Sequence, residues 1–185
     1  MVIREMSREE CLQVLEVDRL ARLACASNNQ PYVVPVYLAY HREPDGESCL
    51  YGFTPEGQKT EWMRANPLVC VEVDEVTNND QWVSVVVFGR YEELPDAPAQ
   101  NIGRPPARQK VGESHDDESC YDPVQNSEQL LAHALLSERA MWWEPAATAR
   151  AASAHRYTAE QFNLIYYKIR IDQVTGHEAI PEPGK

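Results

Sequence analysis

The chain has 185 residues, of which 43% are hydrophobic, so it is long enough for one globular domain with a buried core and a tight fit for two. Its formal net charge of -12 argues against a nucleic-acid surface, because such surfaces neutralise phosphates with Lys and Arg. No apolar run approaches the roughly 20 residues that cross a bilayer, and the N-terminal stretch MVIREMSREEC is charged where a signal peptide is apolar. We therefore expect a cytoplasmic protein that binds neither nucleic acid nor membrane.

The cysteines are widely spaced, odd in number and contain no CxxC pair, so neither a disulfide framework nor a metal site is predicted. Most lie in or beside apolar runs, where a free cysteine behaves as a small hydrophobic residue. The five are Cys11, Cys25, Cys49, Cys70 and Cys120.

The first third of the chain predicts a helix followed by strands. Ser7 and Glu10 form a capping-box pattern ahead of the apolar positions of SREECLQVLEV, which predicts a helix. RLARLACAS alternates like a strand, NNQP is a turn, and PYVVPVYLAY is rich in β-formers. Within that run Pro35 lacks an amide donor, which suits a sheet edge, a bulge, or a place where the backbone faces a ligand.

The next stretch predicts a hairpin, a short helix and a strand. The Pro-Asp-Gly turn in HREPDGES suggests that PYVVPVYLAY and CLYGFT pair as an antiparallel hairpin. In TPEGQKTEWMRANP, Pro55 suits a first helical turn, Gln58 to Ala65 are mostly helix formers, and Asn66-Pro67 ends the helix. LVCVEVDEV then alternates as a strand.

The remaining chain predicts two long strands around an irregular excursion and a helix. QWVSVVVFGRYEEL is apolar on both faces, which predicts a strand between the barrel interior and a covering element, with Gly89 permitting a bend. Residues from about 95 to 127 are proline-rich and loop-like, EQLLAHALLSERAMWW is helical, and FNLIYYKIRIDQVTGHEA is a strand. The fold class is thus mainly β with peripheral helices, in a single domain spanning 1–185.

The ordered segments resemble a known family. PYVVPVYLAY, LYGFTPEGQKTEWMRANPLVCVEVDEV, WVSVVVFGRYEEL and IYYKIRIDQVTGHEA are similar to the flavin-binding split barrel of pyridoxamine 5'-phosphate oxidase-like proteins. Within that family they look closest to the nitroimidazole-resistance (Nim-type) group. The resemblance runs from about Ser7 to Asp96 and from about Leu130 to Ala179. It implies an antiparallel split β-barrel that forms a homodimer with two FMN sites at the subunit interface.

The resemblance also implies where the cofactor is held. The turn from Thr54 to Lys59 matches the segment that holds the flavin phosphate, and the strand from Val33 to Tyr37 matches the one that runs along the isoalloxazine. Ser84 matches a flavin-contacting position. The implied cofactor-binding residues are Val33, Val34, Pro35, Val36, Tyr37, Thr54, Gly57, Gln58, Lys59 and Ser84.

The residue types of that turn suit a phosphate. Lys59 supplies a positive charge, Thr54 a hydroxyl and Gln58 an amide, while Gly57 lets the backbone come close. A helix that starts at Gln58 adds amide donors and a favourable dipole. Trp142 joins the candidate site, because it and Trp143 follow the late helix and have the size to roof a flavin or to close a dimer.

The sequence says less about the reaction. Gln58 stands where some Nim-type members have a histidine linked to their redox chemistry, and the Arg-x-His-rich C-terminal segment of true pyridoxamine phosphate oxidases is missing, so vitamin B6 oxidation is not expected. The five histidines are scattered, so the catalytic residues remain unknown. Without a GxGxxG motif, any NAD(P)H would have to stack on the exposed flavin face.

We therefore expect a flavin-dependent oxidoreductase or reductase that acts on a small flat substrate, with NAD(P)H as a candidate electron donor. Two alternatives stay open. One is a flavin-binding or flavin-storage protein without turnover, and the other is the same barrel holding heme or a deazaflavin.

Overall fold

The computed structural model describes residues 1–95, 123–138 and 164–182, and the side chains of the third helix from Glu128 onward. The helices are α1 (Arg8–Val17), α2 (Gln58–Ala65) and α3 (Pro123–Ser137). The strands are β1 (Val2–Glu5), β2 (Leu20–Ser27), β3 (Gln30–Tyr37), β4 (Ala39–Arg42), β5 (Ser48–Pro55), β6 (Leu68–Asn78), β7 (Gln81–Glu93) and β8 (Leu164–Ile180).

The strands form one antiparallel sheet in the order β3-β2-β6-β7-β8-β5-β4, with β1 added against the far end of β8. Buried residues from both ends of this order meet in one core, for example Leu23 of β2 and Leu50 of β5. The sheet is therefore curled around a shared interior, and α1 packs Cys11 and Leu12 into it. The predicted mainly β, antiparallel class is confirmed.

Local sequence signals explain several element boundaries. The amide of Ser7 donates to Glu10 Oε2 (2.7 Å) and the Glu10 amide to Ser7 Oγ (3.3 Å), so the predicted capping box begins α1. Asn28 and Asn29 have φ of 50° and 63°, the left-handed values that a two-residue hairpin turn needs between β2 and β3. Helix α2 spans the predicted helix formers Gln58 to Ala65 and ends before Asn66-Pro67, as predicted.

The predicted hairpin is only half right. β4 pairs with β5, as Ala39 with Tyr51, but β3 pairs with β2, as Tyr37 with Leu20. Between them, at Leu38, the chain passes from one edge of the sheet to the other. Pro55 also differs from its prediction, because it is the last residue of β5 rather than part of a helical turn, and Gly57 is the N-cap of α2.

The prediction that β7 is buried on both faces is wrong for the described residues. Val85 and Val87 are buried, whereas Phe88 on the opposite face is 48% exposed. The doubly buried strand is β5, because α3 packs Ala132 against Cys49 and Tyr51 on its outer side. Helix α3 also begins at Pro123, so the loop-like excursion ends before the predicted boundary near 127.

Three of the four described cysteines, Cys11, Cys25 and Cys49, are buried free thiols, as expected of small hydrophobic residues. In the described parts of the chain, no helix has the length and apolar character needed to cross a membrane.

Candidate functional site

A cleft opens between edge strand β3 and the end of β5. Its volume is about 170 Å³. The lining residues are Pro35, Val36, Tyr37, Phe53, Thr54, Pro55 and Lys59.

The cleft follows from the way the chain changes sheet edge at Leu38. Ala39 is held against Tyr51 of β5, whereas Tyr37, two residues earlier, is held against Leu20 of β2. The backbone of β3 therefore diverges from β5 instead of pairing with it. Tyr37 and Phe53 therefore lie at the end of the cleft nearer Leu38, and Pro35 and Pro55 lie farther from it.

Pro35 lies on the open side of the edge strand. The amide of Leu38 donates to the carbonyl of Arg19 (2.9 Å), on the β2 side. Since alternate residues of a strand direct their amides to the same side, the position of Pro35 faces away from β2. A proline there removes a donor that no strand would have paired, and it also lines the cleft. Of the three settings predicted for Pro35, it thus occupies the sheet edge.

Lys59 is the residue that gives the cleft its charge. Its side chain is half-buried, and among the described residues it has no hydrogen-bond or ion-pair partner. Burial lowers the pKa of Lys59, while the nearby Cys25 thiol acts in the opposite direction. Arg64, on the same helix, is instead held by Glu56 and Glu93, each at 2.6 Å. The unpaired positive charge in the cleft is therefore the Lys59 ammonium.

The other predicted turn residues are partly committed within the chain. Thr54 is buried and its hydroxyl donates to the Pro55 carbonyl (3.1 Å). The Gly57 amide donates to Thr60 Oγ1 (2.9 Å), and that hydroxyl donates to the Gly57 carbonyl (2.7 Å). A Cβ at Gly57 would meet nothing within 4 Å, so the space above it is open. Gln58 is exposed and does not line the cleft.

Ser84 lies on the same face of the sheet as Pro35 but far along it. Val33, Ala24, Cys70 and Phe88 are successive cross-strand partners, and Ser84 is four residues from Phe88 on the same face. Three strand spacings separate β3 from β7, or roughly 14 Å. Within one chain, Ser84 is therefore not part of the cleft.

That face, which we call the outer face, carries exposed apolar side chains. Val33, Leu68 and Phe88 are 59%, 61% and 48% exposed. Beside them lies a shallow, mostly apolar hollow of about 460 Å³, which includes Ala24, Cys70 and Gly89. No residue among the described ranges covers it.

The structure brings together five of the predicted site residues, namely Pro35, Val36, Tyr37, Thr54 and Lys59. The other described candidates, which are Val33, Val34, Gly57, Gln58 and Ser84, do not line the cleft. Trp142 lies outside the described residues. Phe53 and Pro55 line the cleft but were not predicted. Strand alternation puts Phe53 on the face of β5 that does not carry the core-facing Gly52. That face becomes a wall of the cleft only because β3 diverges from β5.

Comparison with known proteins identifies the family. Residues 7–137 match the family model described as pyridoxamine 5'-phosphate oxidase. The chain belongs to the pyridoxamine 5'-phosphate oxidase family. It is also 35% identical over 185 residues to an uncharacterized protein of Rhizobium meliloti, with 97% of each chain covered.

Solved structures of similar proteins agree with this membership. An FAD-binding protein of Mesorhizobium loti is 36% identical, with a TM-score of 0.66 and coverage of 98% of this chain and 99% of that one. An FAD-binding protein of Mycobacterium smegmatis, at 16% identity and a TM-score of 0.56, covers 94% of this chain and 98% of that one and shares the fold alone. The predicted family and its split-barrel fold are confirmed, while the closeness to the Nim-type group stays a prediction.

Proposed function

We propose that this protein is a flavoprotein that binds FMN in the cleft between β3 and β5, with the phosphate at Lys59 and the ring system against β3. The observation that carries the proposal is the Lys59 ammonium, which is half-buried in the cleft and unpaired among the described residues. In a chain of net charge -12, where Arg4, Arg22, Arg64 and Arg170 all have carboxylate partners, such a lysine suits an anionic ligand.

The surroundings of Lys59 suit a phosphate group. The first amides of α2 have no partner within the helix and lie beside Lys59, so they add donors and a favourable dipole. The open space above Gly57 lets a ligand reach this backbone. The apolar walls from Val36, Tyr37 and Phe53 suit the faces of a flat ring.

The size of the cleft supports a homodimeric site. Its 170 Å³ is below the roughly 300 to 1,000 Å³ of sites that enclose a ligand of this size. A second copy that packs on the outer face would cover Val33 and Phe88 and supply further walls. The position of Ser84 on that face suits a contact across the interface better than one within a chain.

As chemistry, we propose a flavin-dependent oxidoreductase that acts on a small flat substrate. A bound flavin supplies hydride or electron transfer at its ring. The chain's own contribution is to hold the phosphate, orient the ring against β3 and exclude water with Tyr37 and Phe53. NAD(P)H is the proposed electron donor.

FAD is the second candidate cofactor, because the Mesorhizobium loti relative at 36% identity is an FAD-binding protein. The open space above Gly57, beside Lys59, would let the longer ligand continue toward solvent.

The test is the visible spectrum of the purified protein, followed by chromatography of the cofactor released on denaturation. We expect two flavin absorbance bands and free FMN; released FAD would favour the second candidate. A Soret band or a deazaflavin absorbance maximum would show that heme or a deazaflavin is bound in place of a flavin. A colourless protein that takes up no added flavin would refute the proposal. Stopped-flow bleaching with NADPH or NADH then tests turnover, since a storage protein would show only slow, unsaturable reduction.

A further inference from the structure

A second cationic side chain lies near the Tyr37 end of the cleft. The Arg19 side chain is only 10% exposed, and among the described residues its Nε and Nη1 atoms have no hydrogen-bond partner. Its Nη2 atom contacts Glu138 Oε2 at 3.3 Å, and the Glu138 side chain is 59% exposed. A buried guanidinium is costly unless its N–H donors are hydrogen-bonded, so the two donors that the described residues leave unpaired suit an anionic ligand.

Arg19 is not among the residues that line the cleft, but its neighbours place it next to the Tyr37 end. Its carbonyl accepts from the Leu38 amide (2.9 Å), and the next residue, Leu20, is the cross-strand partner of Tyr37. Its guanidinium contacts Glu138, which follows Leu136. Leu136 packs in a small cluster with Ala39, Tyr37 and Phe53, and the last two of these line the cleft.

We propose that Arg19 is a second anion-binding residue of the cleft and takes a carboxylate or phosphate group of a small molecule, the substrate, at the end opposite Lys59. Three residues of strand separate Pro35, beside Lys59, from Leu38, beside Arg19, which is roughly 10 Å. The cleft therefore selects a molecule that brings an acidic group to each end, or a flavin at Lys59 together with an acidic substrate at Arg19. This inference deepens the proposed function and rests on it only for the occupant of Lys59.

In the alternative role, Arg19 binds no ligand and only holds the end of α3 against the sheet through Glu138. The two roles predict opposite effects of Glu138→Gln. If Arg19 binds an anion, loss of the competing carboxylate strengthens anion binding. If Arg19 has only this structural role, Glu138→Gln and Arg19→Met both lower the stability of the protein, and Glu138→Gln leaves anion binding unchanged.

The experiment measures thermal unfolding of the purified protein against inorganic phosphate, at ionic strength held constant with NaCl. Lys59→Met serves as the background, because it removes the other anion site whether or not flavin is bound. We expect phosphate to raise the Tm of Lys59→Met, since a ligand of the native state stabilises it. Adding Arg19→Met should weaken the apparent phosphate affinity by about tenfold or more, as expected for lost hydrogen bonds to a charged group. Adding Glu138→Gln should strengthen it.

Arg42→Met is the matched control. Arg42 also contacts one carboxylate, that of Glu9, at 3.3 Å, but its side chain is 51% exposed, so its removal should not change the phosphate response. If Arg19→Met does not fold, Arg19→Gln replaces it. Repeating the titration with benzoate assigns the preferred group, a carboxylate if benzoate binds more tightly and a phosphate ester if it does not. If phosphate raises the Tm of Lys59→Met equally with and without Arg19→Met, the inference is wrong, even if the protein carries flavin.

Discussion

At the scale of single residues, the proposed anion site depends on Lys59. We expect Lys59→Met to weaken FMN binding by about 1.5 to 3 kcal/mol, the range for hydrogen bonds to charged groups. Flavin fluorescence titration measures this. Arg64→Met is the control, because Arg64 is already held by Glu56 and Glu93 and should leave the flavin affinity unchanged. Equal effects of the two substitutions would remove Lys59 from the site.

The same lysine makes flavin binding depend on pH. Burial lowers the pKa of Lys59 below the ordinary lysine value of 10.5, so its charge is lost earlier as pH rises. Flavin affinity should therefore fall with rising pH before an exposed lysine would titrate. The free protein should respond in the opposite direction, because between the lowered pKa and 10.5 the unfolded chain binds the extra proton and stability rises with pH. Both trends should vanish in Lys59→Met.

Two neighbouring tyrosines differ in whether their hydroxyl is hydrogen-bonded. The ring centroids of Tyr91 and Tyr167 lie 5.3 Å apart; the buried Tyr167 hydroxyl has no hydrogen-bond partner in the described part of the chain, whereas the Tyr91 hydroxyl donates to Glu93 (2.7 Å). Tyr167→Phe should leave the free energy of unfolding unchanged or raise it by up to about 1 kcal/mol, because it removes an unsatisfied buried group. Tyr91→Phe should lower it by about 1 to 2 kcal/mol. Urea unfolding of both variants checks the contrast, and a larger loss in Tyr167→Phe would contradict it.

At the scale of elements, two glycines separate backbone crowding from open space. A methyl group at Gly89, beside the irregularity in the β7–β8 pairing, would overlap the Arg170 carbonyl oxygen and lie 2.8 Å from Ile169 Cγ2. We expect Gly89→Ala to lower the unfolding free energy by about 1 to 3 kcal/mol, because backbone cannot move aside cheaply. Gly57→Ala should cost less than about 1 kcal/mol, since nothing lies within 4 Å of the added atom. If chemical denaturation shows that Gly89→Ala and Gly57→Ala lower the unfolding free energy by similar amounts, the sheet relaxes around the methyl group added at Gly89.

Elements with complete local signals could be predicted from the sequence. The Ser7–Glu10 capping box marks where α1 begins and Asn66-Pro67 marks where α2 ends, because both signals lie within one helical turn of the boundary. The apolar residues on both faces of β7 led to the prediction that both faces are buried. Val and Phe favour a strand whether or not the same chain covers their side chains. β1 was missed because its VIRE sequence forms a strand only through pairing with β8.

The site could be predicted only where chemistry is visible in residue types. Lys59 and Thr54 were predicted because a cation and a hydroxyl beside a helix start suit a phosphate. Arg19 was not predicted, since nothing in DRLARL distinguishes a buried guanidinium from a surface one. Its carboxylate partner Glu138 lies more than one hundred residues away in sequence.

At the scale of the whole molecule, we propose that the outer face forms the interface between two copies. We expect a homodimer, and Phe88→Lys should dissociate it because a charge would lie in an apolar interface. The variant should also bind flavin more weakly, since the cleft would lose the walls supplied by a second copy. Analytical ultracentrifugation measures the mass and fluorescence titration the affinity.

Val17→Lys is the matched control for assembly. Val17 is 63% exposed, but it lies at the end of α1 and not on the outer face, and a lysine is favourable at a helix C-terminus. It should stay dimeric and bind flavin normally. A monomeric wild-type protein, or a Phe88→Lys variant that stays dimeric, would contradict the proposed interface.

The pairing of β5 with β8 has a consequence for the order of events during folding. It joins residues as distant as Thr54 and Ile165, so the wall of the cleft that carries Thr54 and Pro55 forms only after a long stretch of chain has been closed. Such long-range pairing is slow, because the entropy of closing the loop is lost before the contacts form. Helix α2 and the β2–β3 hairpin are local and can form earlier. We therefore expect that a flavin does not act as a template for early folding, and that the rate at which the flavin-bound protein appears follows closure of the sheet rather than the concentration of free flavin.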